Sequence, residues 1–233
     1  TPLRVSFAQF GLRSGSTPTE KDVDIWIPGV TSDDDLDRVA DQAEIDKALT
    51  WLWCGSAGLA HALARRRGMA PAHAIASPLP PGAGPTVLVS ASFQPVLREQ
   101  WELLLANQNI QAVARHARAQ EVSAALELAG KGASAVCFDL SPEDRIAPQQ
   151  AADQLAAQTA RLVAELPIPG QLVVVGGDTL LGLCRASGAR GFLALPAVRQ
   201  GWGFARLIGG LWDGVTCYSR SGAFGGADDL LTM

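Results

Sequence analysis

Short apolar runs alternate along the chain with stretches in which apolar side chains recur at helical spacing. The run at Leu172–Val175 is unbroken and those at Thr86–Ser90 and Ala133–Leu140 are mainly apolar, which is typical of strands buried within a sheet. Helical spacing is clearest from Pro95 to Asn107 and from Pro148 to Leu166. This alternation predicts a layered α/β fold with a largely parallel sheet and helices on both faces.

The remaining elements follow from the same patterns. Further strands are expected at Arg4–Phe10, Val23–Ile27, Ala48–Cys54, Ile110–Ala114, Phe192–Leu195 and Val215–Ser219. Further helices are expected after Thr31, from Gly55 to about Arg67, from Glu121 to Ala129, after Gly176 and, more weakly, after Gly226. The segment from Phe192 to Ser219 therefore reads as two strands separated by a connection rich in glycine and tryptophan.

A proline-rich stretch divides this pattern into two parts. Five prolines lie between 71 and 85, and their spacing leaves no room for a regular element. Such segments form stiff, extended connectors. We therefore expect one domain at 1–70, a linker at 71–85 and a second domain at 86–233.

Three consecutive acidic residues, Asp33 to Asp35, follow the capping residues Thr31 and Ser32. Acidic side chains in the first turn are favoured by the positive end of the helix dipole. Consecutive helical residues diverge by about 100°, so the three carboxylates cannot converge on one ion. The pattern favours a helix start over a metal site.

Charge and cysteine content narrow the classes of function. The 233 residues include 19 basic and 23 acidic ones, without a basic stripe, so a nucleic-acid partner is not expected. No apolar run reaches the ~18 residues of a membrane span. Four scattered cysteines indicate buried, reduced thiols and a cytoplasmic protein. Because the chain starts at Thr1 rather than at methionine, we expect a processed or truncated product.

A strand, a glycine turn and a helix start follow one another between Gln171 and Gly188. The first N–H groups of such a helix and its dipole suit a phosphate or another anion, although many α/β proteins have this junction without a ligand. Two further turns, Ser90–Ser92 and Ser221–Gly225, also follow predicted strands. In a parallel sheet these turns meet at one edge, where ligands usually bind.

Several common site signatures are missing from the sequence. It contains neither G-x-x-x-x-G-K-[ST] nor G-x-G-x-x-G, so a P-loop or a standard dinucleotide fingerprint is unsupported. It also lacks G-x-S-x-G, and His116 has no evident nucleophile to serve. A hydrolase triad is therefore unsupported as well.

The order of four motifs resembles the four-carbon acid sugar kinase family. The motifs are G-S-A-G-L-A at 55–60, V-L-V-S-A-S-x-x-P-V-x-x-x-Q at 87–100, G-G-D-T at 176–179 and S-G-A-F-G-G-A-D at 221–228. The resemblance implies an ATP-dependent kinase for tetronates, with an amino-terminal sugar-acid domain and a carboxy-terminal ATP domain. Residues 1–70 resemble only the end of the first domain, and residues 86–233 resemble the second.

The resemblance also implies a set of binding residues and cofactors. ATP contacts are expected at Ser92, Gly176, Gly177, Asp178, Thr179 and Gly222. It further implies that Asp178 holds Mg²⁺ directly or through water, with no dedicated protein metal site, and that Arg220 neutralises phosphate charge. The partner is a small sugar acid, and an oligomer is compatible with the sequence.

Departures from the family pattern leave two hypotheses open. The motif A-D-D-L-T-G-A, which supplies an acidic group near the substrate, is absent, so no catalytic residue is assigned in this chain. Ala91 and Phe93 replace smaller residues of the usual S-G-S-C-S turn, and both narrow the approach to a nucleotide. The chain is then either the ATP-binding part of a tetronate kinase or a non-catalytic binding module that retains the fold.

Overall fold

The computed structural model describes residues 5–9, 25–45, 52–69, 80–106, 112–196, 199 and 201–231. The chain divides into two compact units, Thr1–His73 and Ala74–Met233. No helix in the described ranges is both long and apolar enough to cross a lipid bilayer.

The first unit contains a parallel strand pair and two helices. Strand β1 (Val5–Gln9) pairs with β2 (Ile25–Gly29), and helix α1 (Asp33–Ile45) packs against α2 (Ala57–Arg66). Gly58 allows the two helices to approach, because a Cβ there would lie 2.9 Å from Cδ1 of Leu36. The acidic triplet opens α1, as the helix-start interpretation predicts.

The second unit is an alternation of strands and helices. Its strands are β3 (Thr86–Ser90), β4 (Ala112–Ala114), β5 (Ala135–Asp139), β6 (Gln171–Val175), β7 (Gly191–Ala194), β8 (Gly203–Ile208) and β9 (Thr216–Arg220). Its helices are α3 (Pro95–Ala106), α4 (Ala119–Gly130), α5 (Pro148–Glu165) and α6 (Gly177–Ser187). The strands join into one sheet in the order β4-β5-β3-β6-β9-β8-β7.

Parallel pairing covers the centre of this sheet. Strands β4, β5, β3, β6 and β9 run in one direction, whereas β8 is antiparallel to both β9 and β7. The central strands β3, β5 and β6 are buried along almost their whole length, as their mainly apolar sequences predict. Stacking of Phe204 on Tyr218, with ring centroids 4.4 Å apart, joins β8 to β9.

Two apolar cores cover the two faces of the sheet. On one face Leu126 of α4, Leu162 of α5 and Leu183 of α6 pack together with alternate strand residues. On the other face the core includes Leu97 and Trp101 of α3. The structure therefore confirms the predicted fold class: a layered α/β fold, mostly parallel, with helices on both faces.

Three local predictions differ from the structure. Strand β8 was not expected, since the glycines and tryptophan before it resemble a loop. The predicted strand Ala48–Cys54 is wrong over 52–54, which form no regular element, while 48–51 lie outside the described residues. Residues 227–231 form turns rather than the terminal helix favoured by their sequence. Most of the predicted linker, 70–79, also lies outside the described residues.

Candidate functional site

Strand register brings the three predicted turns to one edge of the sheet. Ser90, the last residue of β3, pairs in register with Val175, the last residue of β6. Val175 pairs in turn with Arg220, the last residue of β9. The segments after these strands are therefore neighbours at the carboxyl edge, where parallel α/β sheets bind their ligands.

A cavity of about 790 Å³ opens at this edge. That size is typical of a small-molecule site. All of the residues predicted to contact ATP line it: Ser92, Gly176, Gly177, Asp178, Thr179 and Gly222. Three motifs that are spread over residues 92–222 of the sequence thus converge on one pocket.

The turn between β6 and α6 is built on glycine. Gly176 has φ +113° and ψ 131°, a conformation that side chains with a Cβ rarely adopt. Its N–H donates to the carbonyl of Arg220 at 2.9 Å, which ties this turn to the end of β9. Gly176 caps α6 without a side-chain hydrogen bond. The first N–H groups of α6 have no intrahelical acceptor, so this helix end suits an anion.

Gly222 packs directly against Ser92. A Cβ at Gly222 would lie 2.8 Å from Cβ of Ser92, a distance that would force one turn away from the other. Ser92 is also close to the first glycine turn, since a Cβ at Gly176 would lie 4.0 Å from that of Ser92. The absence of a side chain at Gly222 therefore allows its turn to pack against Ser92, and all three turns lie close together around the pocket.

Polar side chains at the same end of the pocket supply ligands for a charged group. Asp178 is exposed in the first turn of α6, whereas Thr179 is 2% exposed. Asp178 is the acidic residue among the described residues that line the pocket. No group of three or more His, Cys, Asp or Glu among the described residues could hold a metal ion. One carboxylate beside a helix start that suits an anion is nevertheless compatible with Mg²⁺, which retains waters and binds substrate phosphates.

The other end of the pocket is mainly apolar and lies between α5 and α6. It is lined by side chains such as Ala151 and Leu155 of α5 and Leu181 of α6. The two helices approach closely at Gly182, where a Cβ would lie 3.0 Å from Oγ1 of Thr159. The pocket is therefore polar where the strands end, and between the helices its wall combines apolar side chains with Gln154, Thr159 and Arg185.

The two substitutions in the Ser90–Gln94 turn lie at the pocket wall. Ala91 and Phe93 both line the cavity, and the Phe93 ring is 5.9 Å from the guanidinium carbon of Arg98. Ser90, in contrast, is fully buried and accepts a hydrogen bond from Nε1 of Trp101 at 3.2 Å. Of the two serine hydroxyls in this turn, it is therefore Ser92 that faces the cavity.

Arg220 occupies a different place from the one that its predicted role requires. It is not among the pocket residues, and its side chain is 1% exposed. Its Nε lies 3.0 Å from Oδ2 of Asp229, and its guanidinium carbon lies 4.8 Å from the centroid of the Trp202 ring. Burial lowers the pKa of Arg220 from its usual value, an effect that the nearby Asp229 opposes. This placement leaves the predicted neutralisation of phosphate charge by Arg220 without a direct contact at the pocket wall.

The structure also shows pocket residues that the sequence did not indicate. The α5 wall and Arg185 belong to this group, because helix periodicity identifies the buried face of α5 but not the exposed face that borders a cavity. Outside the pocket, the contacts of Gln100 and Asp229 with Arg220 were not expected either, because the sequence does not show which side chains meet across the fold.

The buried cysteines carry no sign of reactivity. Cys137 and Cys217 are free thiols in β5 and β9, and burial raises the pKa of each to about 12. Burial also raises the pKa of Cys184, whereas Cys54 is an exposed free thiol. For the two strand cysteines, the prediction of buried apolar thiols is confirmed.

Solved structures with this fold come from several bacteria. A domain of unknown function from Bordetella bronchiseptica, crystallised with bound citrate as a domain-swapped dimer, is 25% identical, with a TM-score of 0.51. The match covers 96% of this chain and 56% of that one. A Haemophilus influenzae protein is 18% identical over 89% of this chain and 52% of that one, with a TM-score of 0.52.

A third structure, from Salmonella typhimurium LT2, is 17% identical over 91% of this chain and 52% of that one, with a TM-score of 0.58. The present chain thus spans little more than half the length of these proteins. The last two likenesses show the fold alone. No curated protein matches the sequence significantly.

A family model described as the nucleotide-binding C-terminal domain matches residues 87–230. This region contains β3 through β9, the three turns and the whole pocket. Together with the Bordetella bronchiseptica structure, the match supports the resemblance to the four-carbon acid sugar kinases at the level of the family. Since the match spans more than half of the chain, the protein belongs to the family of nucleotide-binding C-terminal domains.

Proposed function

We propose that this chain binds ATP with Mg²⁺ as the nucleotide-binding part of a kinase that phosphorylates a four-carbon sugar acid. The observation that carries this proposal is the convergence of Ser92, the turn at 176–179 and Gly222 on one pocket. The resemblance to the four-carbon acid sugar kinases implies ATP contacts at these same positions. The polar end of the pocket, beside the open start of α6, is the place for the phosphates.

The pocket residues would act mainly by positioning and by electrostatics, which supply most of the catalysis in phosphoryl transfer. Backbone N–H groups at Gly177 and Asp178 would bind phosphate oxygens, and the α6 dipole would stabilise their negative charge. Asp178 would hold Mg²⁺ directly or through water. When bound, the ion would neutralise charge on the transferring phosphoryl group. The apolar end between α5 and α6 would accept the base.

The sugar acid would bind with the help of the other domain. We propose that residues 1–70 are the end of the sugar-acid-binding domain and that 71–85 link it to the nucleotide-binding domain at 86–233. The citrate in the Bordetella bronchiseptica structure supports a small carboxylic acid as a ligand, and its dimer supports an oligomer. The free thiols favour a reducing compartment, and we propose the cytoplasm.

A second candidate is a non-catalytic module that retains the fold. The observation in its favour is that Ala91 and Phe93, both larger than the usual residues of this turn in the family, line the pocket. A module of this kind would bind a small anion at the start of α6 but would bind ATP weakly. Nucleotide affinity therefore separates the two candidates.

Isothermal titration of the purified chain with ADP in the presence of Mg²⁺ tests the first proposal. We expect one site per chain, and ADP to bind much more tightly than adenosine because the phosphates contribute at the polar end. Absence of ADP binding by a folded chain would overturn the proposal. Transfer of ³²P from ATP to threonate or erythronate, measured on a chain that includes a complete sugar-acid domain, then tests the kinase reaction.

A further inference from the structure

The charged side chain of Arg220 is buried beneath the turn that carries Gly222. Its guanidinium donates to the carbonyl oxygens of Ser221, at 3.1 Å, and of Phe224. It also donates to Oε1 of Gln100 on α3. The Arg220 side chain thus binds two carbonyl groups of the 221–226 turn and links them to α3. Helix α3 packs on the same face of the sheet as Trp202.

Gln100 completes the anchoring of this turn. Its side chain is fully buried, and Nε2 donates to the carbonyl oxygens of Gly226, at 2.7 Å, and Phe224, at 3.4 Å. Asp229 contacts Arg220 on the other side and also forms a 2.6 Å ion pair with Arg199. The turn between Arg220 and Asp229 is therefore fastened through its carbonyl groups at several points.

Stability alone is a poor explanation for this arrangement. Removing a guanidinium from water has a large desolvation cost, and buried ion pairs often stabilise a fold no more than apolar residues of similar volume. The five donors of a guanidinium do, however, fix their acceptors in a defined geometry. What the buried Arg220 supplies best is a defined conformation for the turn.

We propose that Arg220, with Gln100 as its partner, is a positioning residue of the nucleotide site. By binding the carbonyl groups of the 221–226 turn from below, it holds Gly222 against Ser92 at the pocket wall. The backbone of this turn is then placed to contact the phosphates before they bind. This inference rests on the proposed ATP binding. It assigns Arg220 the role of positioning Gly222, without a direct contact between Arg220 and the ligand.

The test compares Arg220→Met and Gln100→Met with the unsubstituted chain. Both changes keep the side-chain volume approximately and remove the hydrogen bonds to the turn. Titration calorimetry measures the affinity for ADP with Mg²⁺, and ligand-observed NMR measures the affinity for adenosine. We expect ADP to bind at least tenfold more weakly and adenosine affinity to change less than twofold, because the turn contacts the phosphates only.

The matched control is Leu126→Ala, a change in the core of α4 on the opposite face of the sheet. It is expected to lower the melting temperature without changing either affinity. If the methionine variants weaken ADP and adenosine equally, or bind ADP normally, the positioning role is wrong. If Arg220→Met fails to fold, Gln100→Met decides by the same criteria. Failure of the unsubstituted chain to bind ADP would instead overturn the proposed function itself.

Discussion

Helices α1 and α6 both have acidic side chains in their first turn. The N–H groups at the start of α1 are capped by side chains at that helix start, whereas those at the start of α6 are not. In α1, Oδ2 of Asp35 accepts hydrogen bonds from N–H and hydroxyl groups of both Thr31 and Ser32, at 2.9 to 3.1 Å. The Ser32 hydroxyl in turn accepts from the N–H of Asp35 at 3.2 Å. The side chains of Ser32 and Asp35 therefore cap each other's N–H groups at the start of α1, as in a capping box.

The start of α6 has no such closure. Gly176 caps it without a side-chain hydrogen bond, and Asp178 is exposed beside a pocket. The first N–H groups of the helix are left for a partner from outside. The comparison teaches that an acidic helix start indicates a ligand site only where capping is incomplete and neighbouring turns form a cavity.

The largest expected effect comes from giving the α6 turn a side chain. Gly176→Ala imposes backbone strain of ~1–3 kcal/mol at φ +113° and adds a Cβ 3.2 Å from Oγ1 of Thr179. If the turn relaxes away from this conformation, ADP affinity falls about tenfold to a hundredfold. Titration calorimetry measures the loss.

Gly58→Ala is the matched control for that change. Its Cβ would meet the end of the Leu36 side chain, and Gly58 lies in the other unit. We expect its ADP affinity to equal that of the unsubstituted chain. Equal affinity of Gly176→Ala and the control would contradict the assignment of the α6 turn to the phosphates.

The second effect concerns Asp178 and Mg²⁺. Asp178→Asn removes the carboxylate at the polar end of the pocket but leaves the backbone of α6 unchanged. We expect ADP to bind about tenfold more weakly with Mg²⁺, and nearly unchanged when EDTA replaces the ion. The control is Asp153→Asn on α5, because Asp153 is not among the residues that line the pocket. A loss that is identical with and without Mg²⁺ would disprove the metal role.

A smaller effect, of opposite sign, tests the non-catalytic alternative. Ala91→Gly with Phe93→Cys brings two of the positions in the 90–94 turn back to the family pattern and widens the cavity that they line. We expect ADP affinity to rise about threefold to tenfold, since less bulk obstructs the site. The fluorescence of a nucleotide analogue can follow the change by competition. No gain would show that these side chains do not restrict the nucleotide.

The smallest effect on ADP affinity is expected from Asp35→Asn. Hydrogen bonds from the Thr31 N–H and the Ser32 hydroxyl hold the pKa of Asp35 below its ordinary value. A carboxyl whose pKa is lower in the folded state stabilises the fold above its unfolded pKa, ~3.9. That contribution is lost as the pH falls through the folded pKa.

NMR spectra of α1 recorded between pH 6 and pH 2 can follow this loss of helix. The asparagine variant should show a less stable α1 at neutral pH and a weaker dependence on acid, with unchanged ADP affinity. A change in ADP affinity would contradict the conclusion that the self-capped start of α1 takes no part in ligand binding, unlike the uncapped start of α6.

Local sequence patterns predicted the parts of this fold that depend on local physics. Mainly apolar runs identified β3, β5 and β6, because a strand covered on both faces needs apolar residues at most of its positions. Proline at the first turn of α5 marked the start of that helix for an equally local reason. The predicted ATP-contact residues came from motif order and all line one pocket.

The sequence-based predictions differ from the structure where contacts with other parts of the chain determine the conformation. Strand β8 exists because β9 and β7 supply its hydrogen bonds on both sides, despite the glycine at its start. The family resemblance implies that Arg220 neutralises phosphate charge, but the sequence does not show which way its side chain points. Its direction is set by Gln100 and Asp229, 120 residues before it and nine residues after it.

The sequence by itself determined the alternation of strands and helices, the closed start of α1 and the glycine positions that permit the turns. These features depend on side-chain size, backbone freedom and hydrogen bonds between near neighbours. Only the tertiary structure decided that the turns after β3, β6 and β9 share a cavity, and that Arg220 lies beneath one of them. The physical reason is that strand register and the packing of α3 and α5 bring together groups that are far apart along the chain. The residues around each group do not indicate which distant group it will meet.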